Sequence, residues 1–171
     1  MKLKVIDMDK FFEKLSRYHL LTNLIPGVLF LYLLNMLDIF SIDLSDWLKT
    51  LIIGYFAGLV IGRIGSIIIE PWFKKWKIVK YAPYPDYLKA EKDDSKLPDL
   101  LADNNMYRTF VAVFMLLVLL EIVHLIPAAD EFIHSELAVL ILLTCLLLLY
   151  VLAFRKQTNY IRKRVEKIVS K

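Results

Sequence analysis

Residues 48–70 read LKTLIIGYFAGLVIGRIGSIIIE. Between Lys49 and Arg63 this run carries no charge, and it ends on Glu70. A hydrocarbon core about 30 Å thick needs roughly 20 mostly apolar helical residues to cross it. The stretch has that length, and it is apolar all the way round rather than along one face, as a surface helix would be. Three further stretches resemble it: about 20–40 (with VLFLYLLNML), 109–127 (TFVAVFMLLVLLEIVHLIP) and 137–154 (LAVLILLTCLLLLYVLAF). The 171-residue chain is 58% hydrophobic, against about 45–50% for a soluble domain, and the excess sits in these four blocks. Four buried helices of a soluble bundle are the rival, but a chain this small leaves too few polar faces to cover them. A single cysteine excludes a disulfide scaffold. The expected fold is therefore all-α: one integral-membrane four-helix bundle, with a short helical loop at 72–108 and amphipathic termini.

Charge gives the orientation. Five of the Lys and Arg residues precede the first span, eight lie between the second and third, and seven follow the fourth, which is twenty of the twenty-two. The short connections 41–47 and 128–136 hold none; they carry Asp43, Asp46, Asp130, Glu131 and Glu136. Basic residues near span ends mark the cytoplasmic side. Both termini and the 72–108 loop are thus expected in the cytoplasm. Trp47, Trp72 and Trp76 fall at span edges, as a membrane-surface aromatic belt requires. No small-x-small cleavage site follows Asp38, so the first span is expected to stay as an anchor. Thr22 and Asn23 could cap its start, ahead of Pro26.

Outside the spans, Phe11, Phe12, Leu15 and Tyr18 or His19 share one side of a basic helix, and Ile161, Val165, Ile168 and Val169 have the same helical spacing in the tail. Both segments are expected on anionic lipid at the cytoplasmic face. In the loop, Asp86 could cap a short helix, YLKAEK, and Pro98 could open another that feeds span three. The loop is too short to bury a core alone, so it needs the membrane, another subunit or a cytoplasmic partner. The net charge of +4 follows from topology, and nucleic acid is not an expected partner. No phosphate loop, dinucleotide fingerprint, nucleophile elbow or zinc spacing occurs, so neither an enzyme nor a cofactor is expected.

Span two carries Gly54, Gly58, Gly62 and Ser66 at intervals of four. Such a stripe lets helix backbones approach closely, within one chain or between copies in a homo-oligomer. Arg63 and Glu70, seven apart, point nearly the same way and are the expected contact, within a subunit or between subunits. Glu121 and His124 share a face of span three; register-fixing contacts or a proton relay would both use them. They form half of a carboxylate di-iron pattern, but the second Glu-x-x-His, 131–134, sits in an outer loop and cannot face them, so no metal is expected. Cys145 reads as a small hydrophobe in a leucine-rich fourth span that faces lipid.

The stretches RIGSIIIEPWFKK (63–75), YAPYPDYLKAEKDDSK (81–96) and NNMYRTF (104–110) resemble a family of small, mostly uncharacterised bacterial four-span proteins of accessory and mobile gene regions. The resemblance implies a bacterial inner membrane and lends no activity. Some membrane-embedded anti-phage effectors share the architecture. Three functions fit: a homo-oligomeric, channel-like or membrane-perturbing effector with Arg63, Glu70 and Glu121 on a polar path; an anchor that docks a cytoplasmic partner through 72–108; or a small transporter.

Overall fold

The computed structural model describes residues 19–125 and 133–170, and all regular structure among them is helical. Helix α1 runs Leu20–Met36, α2 Trp47–Lys75, α3 Tyr84–Asp93, α4 Leu97–Leu125 and α5 Ile133–Val169. Three of them, α2, α4 and α5, are long and apolar enough to cross a membrane; α1 is apolar but shorter. The amphipathic segment expected before residue 19, and Asp130 and Glu131 with the 131–134 motif, lie outside the described residues.

The expected first span is cut short because the chain turns at its end. Asp38 takes a left-handed backbone (φ 52°), and the Ile39 and Asp38 amides donate back to the Leu34 and Asn35 carbonyls. This closes the last helical turn as a Schellman cap. Asn35 then accepts from the Ile42 amide (3.1 Å), which ties the connection down. Asp46 opens α2 by accepting from the Leu48 and Lys49 amides (3.0 and 3.2 Å), the expected role of an N-cap carboxylate. Thr22 and Asn23 lie inside α1 rather than at its N-cap.

Each of the first two helices widens once, and each time just ahead of a proline. Residues Leu20–Leu24 form a π-turn closed by Ile25 N–H to Leu20 O, and Pro26 follows; Gly65–Ile69 form another closed by Glu70 N–H to Gly65 O, and Pro71 follows. A helical proline lacks an N–H and its ring collides with the carbonyl four residues back. One extra residue in the preceding turn moves that carbonyl away and lets the helix resume.

Helices α1 and α2 cross backbone on backbone. A Cβ on Gly27 would overlap the Gly54 carbonyl, and one on Gly58 would overlap the carbonyl of Asn23. Gly62 has more room, 3.6 Å to Thr109 Oγ1, and Gly65 faces Arg108 on α4. The main core draws on α1, α2, α4 and α5 and holds Leu34, Ile69, Phe73, Val111, Val113, Leu117 and Phe154. Phe110 and Phe114 pack on Tyr150, with centroids 4.7 and 5.2 Å away. Over 137–154, α5 keeps Ile141, Leu142, Leu148, Leu149 and Leu152 exposed, as a lipid-facing helix would.

The 72–108 segment holds the two expected helices, α3 over YLKAEK and the one with Pro98 in its first turn that feeds span three, and the tail departs most from expectation. Helix α2 carries on to Lys75, α4 already begins at Leu97, and only α3 with its flanks connects them. Pro83 stands at the cap of α3, with Asp86 inside its first turn. The tail is no separate surface helix: α5 continues unbroken to Val169 and turns Ile161, Val165 and Ile168 inward. These meet Ala90 of α3 and Leu97 of α4, making a second, smaller core, the head. The segment thus finds its apolar partner in the chain's own C-terminal helix.

Two substitutions test the α1–α2 crossing. Gly58→Ala forces the Asn23 backbone away and should cost at least about 1–3 kcal/mol, whereas Gly62→Ala should be close to neutral. Thermal unfolding of both variants in one detergent checks this. At the C-terminus of α2, Lys77 also holds a left-handed backbone (φ 59°), so Lys77→Gly should gain on the order of 1 kcal/mol in the same assay.

Candidate functional site

The site lies where the two cores meet. Helix α2 brings Glu70 and Lys74, the turn after it Tyr81, α4 Asn104 and Arg108, and α5 Thr158 and Arg162. Their common level follows from the helix register: Phe73 of α2 packs on Phe154 of α5 (centroids 6.2 Å apart), and one turn further along α5, Thr158 faces Asn104.

Glu70 is the hub. It pairs with Arg108 from α4 and with Lys74 one turn ahead on its own helix (2.6 Å), and both carboxylate contacts are largely shielded from solvent on the Glu70 side. Within the chain the expected Arg63–Glu70 contact does not form. Arg63 is exposed, two turns earlier on α2, where the π-turn at Gly65–Ile69 shifts the register between them. Lys74 also sits 4.5 Å over the Tyr81 ring, a cation–π contact.

Asn104 is fully buried and joined to Thr158 at 2.9 Å; Thr158 is also 2.8 Å from the Phe154 carbonyl. The Tyr81 hydroxyl is hydrogen-bonded to Asn104 and Thr158, whereas Arg162 Nε has no hydrogen-bond partner. Burying such a group unpaired costs about 1–3 kcal/mol. Burial, with the Glu70 charge nearby, pushes the Tyr81 phenol up to about 12, so it keeps its proton. These groups line a cavity of about 280 Å³, whose remaining walls include Tyr84, Tyr87, Leu101 and Ile161.

The head is fastened on the far side of its small core. Asp94, just past α3, pairs with Arg164 of α5, and Gln157 Nε2 donates to the Leu100 carbonyl (3.2 Å). The Arg164 guanidinium holds the Asp94 carboxyl below its ordinary 3.8.

The other residues singled out in the sequence are dispersed. Gly54 and Gly58 are buried against α1, and Gly62 and Ser66 border a smaller cleft of about 150 Å³ with Arg63, His19 and Asn105. The Ser66 hydroxyl donates to the Arg63 carbonyl (3.0 Å). Glu121 is 2% exposed and His124 half-buried, both toward the other end of α4 and far in sequence from the cavity residues of that helix. Trp47 starts α2, and Trp72 and Trp76 lie exposed at its other end with centroids 5.8 Å apart. Among the described residues no cluster of His, Cys, Asp or Glu could hold a metal.

No family model, curated protein or solved structure matches this chain. The chemistry of the site therefore rests on its own residues: a proton-bearing phenol, an amide, two cations and one carboxylate around a half-open pocket.

The Asp94–Arg164 pair predicts a pH effect with a defined sign. A carboxyl whose folded pKa is depressed stabilises the fold above its unfolded value and loses that contribution as pH falls. Protection of the 161–168 amides against hydrogen exchange should thus drop below about pH 4, where the unfolded carboxyl takes its proton. Asp94→Asn should lower that protection at neutral pH and flatten the acid dependence.

Proposed function

We propose that this chain is a multi-pass membrane anchor that holds a folded cytoplasmic head against the bilayer and docks a soluble protein there. In this reading α1 completes a four-helix membrane bundle with α2, α4 and α5, and the basic end that carries the head faces the cytoplasm. One observation carries it: α4 and α5 run without a break from their apolar stretches into a second core with its own ion pair. A bundle that only crossed the bilayer would need no such core. Continuous helices fix the head in height and direction, which is what a docking platform requires. Helix α3, the outermost piece of the head, leaves Tyr84 (71%) and Leu88 (41%) exposed one turn apart, a small apolar step on an otherwise charged helix.

The channel-like oligomer loses its main support. It needed the glycine stripe as a subunit contact, and Gly54 and Gly58 are covered by α1 of the same chain. It also needed Arg63, Glu70 and Glu121 on one path, while Glu70 is engaged by Arg108 and Lys74. A transporter would need broken helices around a midplane site. The two widened turns occur instead where prolines demand them.

Photo-crosslinking in intact cells tests the anchor. With a photoreactive amino acid at Tyr84 or Leu88, a discrete adduct to one soluble protein is expected at both positions, and none with the same group at Leu148 on the exposed flank of α5. Adducts only to lipid or to the chain itself at Tyr84 and Leu88 would refute the docking role.

A further inference from the structure

The cavity between the two cores is more than a packing gap. Asn104 is fully buried and bonded to Thr158, the Tyr81 hydroxyl is hydrogen-bonded to Asn104 and Thr158, and Arg162 Nε is buried without a partner beside the same space. A buried guanidinium N–H is seldom left without something to bond it. What they would bond follows from charge. Lys74 and Arg162 line the cavity, and its single carboxylate, Glu70, is already shared between Lys74 and Arg108. Arg162 has one further partner, Glu166, which is half exposed one turn along α5. A compact oxyanion answers this set: it accepts from the phenol, the guanidinium and the ammonium at once. A phosphate monoester has three free oxygens for those donors, one more than a carboxylate offers. The space, about 280 Å³, exceeds such a group, and tyrosine rings with Leu101 and Ile161 form the rest of its wall. The body attached to the phosphate is therefore apolar or aromatic.

Place in the fold adds a second argument. Lys74 lies between Trp72 and Trp76, two exposed rings at the end of an apolar helix, where side chains sit at headgroup depth. We propose that this cavity binds the phosphate monoester of a ligand with an apolar or aromatic body. A phosphomonoester lipid and a soluble organic phosphate share that chemistry. The proposal requires the membrane embedding of α2, α4 and α5 and is independent of partner docking by α3.

The full-length chain in phosphatidylcholine nanodiscs tests it, with thermal midpoint and Trp fluorescence as readouts. One arm adds phenyl phosphate; the other replaces a tenth of the phosphatidylcholine with phosphatidic acid. At least one probe should raise the midpoint, and which one does so identifies the source of the phosphate. Losing a hydrogen bond to a charged group typically weakens binding about tenfold or more, so Arg162→Gln should show that drop. Lys163→Gln, one residue along and outside the cavity, should bind as wild type. Arg162→Lys keeps the charge and removes Nε, and Tyr81→Phe removes only a hydroxyl; either serves if Arg162→Gln does not fold, and each should weaken binding several-fold. No response to either probe overturns the proposal. So does a response that Lys163→Gln weakens as much as the cavity variants do, since that is attraction to surface charge alone.

Discussion

Helices α4 and α5 do not stop where their apolar residues stop, and the polar end of the molecule depends on this. A helix of 37 residues is roughly 55 Å long, well beyond the 30 Å of a hydrocarbon core. The excess has to stand free, lie on the surface or pack on something. Here it packs. Along α5 the inward positions run Phe154, Thr158, Ile161, Val165 and Ile168, alternating steps of four and three. On α4 the positions Leu97, Leu101, Asn104 and Val111, at steps of four, three and seven, belong to the same cores and polar layer. Such a repeat keeps one seam facing a partner helix over several turns. The seam is apolar in the membrane-length part and again in the head, and polar only at the level of Asn104 and Thr158. That polar layer separates the two cores and is where the cavity opens.

The other half of the bundle relies on a different contact. In lipid, apolar surface does not drive helices together, so close packing has to. Gly27, Gly54 and Gly58 allow α1 and α2 to touch along their backbones, which compensates for the small area that a short α1 can offer. Of the proline-linked π-turns, the one at the start of α1 supplies Asn23 to this contact, and the other lies beyond Gly62 on α2. The second also decides electrostatics. By adding a residue to one turn, it rotates Glu70 relative to Arg63, and Glu70 then meets Arg108.

Much of this was legible in the sequence, and the rest was hidden for physical reasons. Helix type and the three long apolar helices follow from composition and run length alone. The glycine stripe on α2 announced a close contact, but its partner, Gly27, is a lone glycine on α1 with no spacing to mark it. The inward spacing of Ile161, Val165 and Ile168 was visible too. Read as a separate segment, it suggested a lipid surface. Extended backwards through Thr158 to Phe154, the same spacing shows that one helix keeps one buried face. A polar threonine interrupts the pattern at the layer that matters. The cavity itself could not be read, because Tyr81, Asn104 and Arg162 are far apart in the chain and none belongs to a motif.

The contrast between Arg63 and Glu70 shows how depth sorts these charges. Both lie on the same half of α2, and a charge at bilayer depth costs about 2.5–3.5 kcal/mol on insertion scales unless it finds a partner or water. A glutamate is short, so Glu70 has to be satisfied where its backbone puts it, and α4 and the next turn of α2 supply Arg108 and Lys74. An arginine is long enough to carry its charge along the helix toward the headgroups. Arg63 accordingly needs no carboxylate, and its exposed side chain borders a cleft of hydroxyl and amide groups. With Glu70 drawn into the bundle, two cations and an amide are left around the cavity with a single shared anion between them. The positive character of that space is thus a consequence of how the bundle neutralises its one glutamate at the boundary.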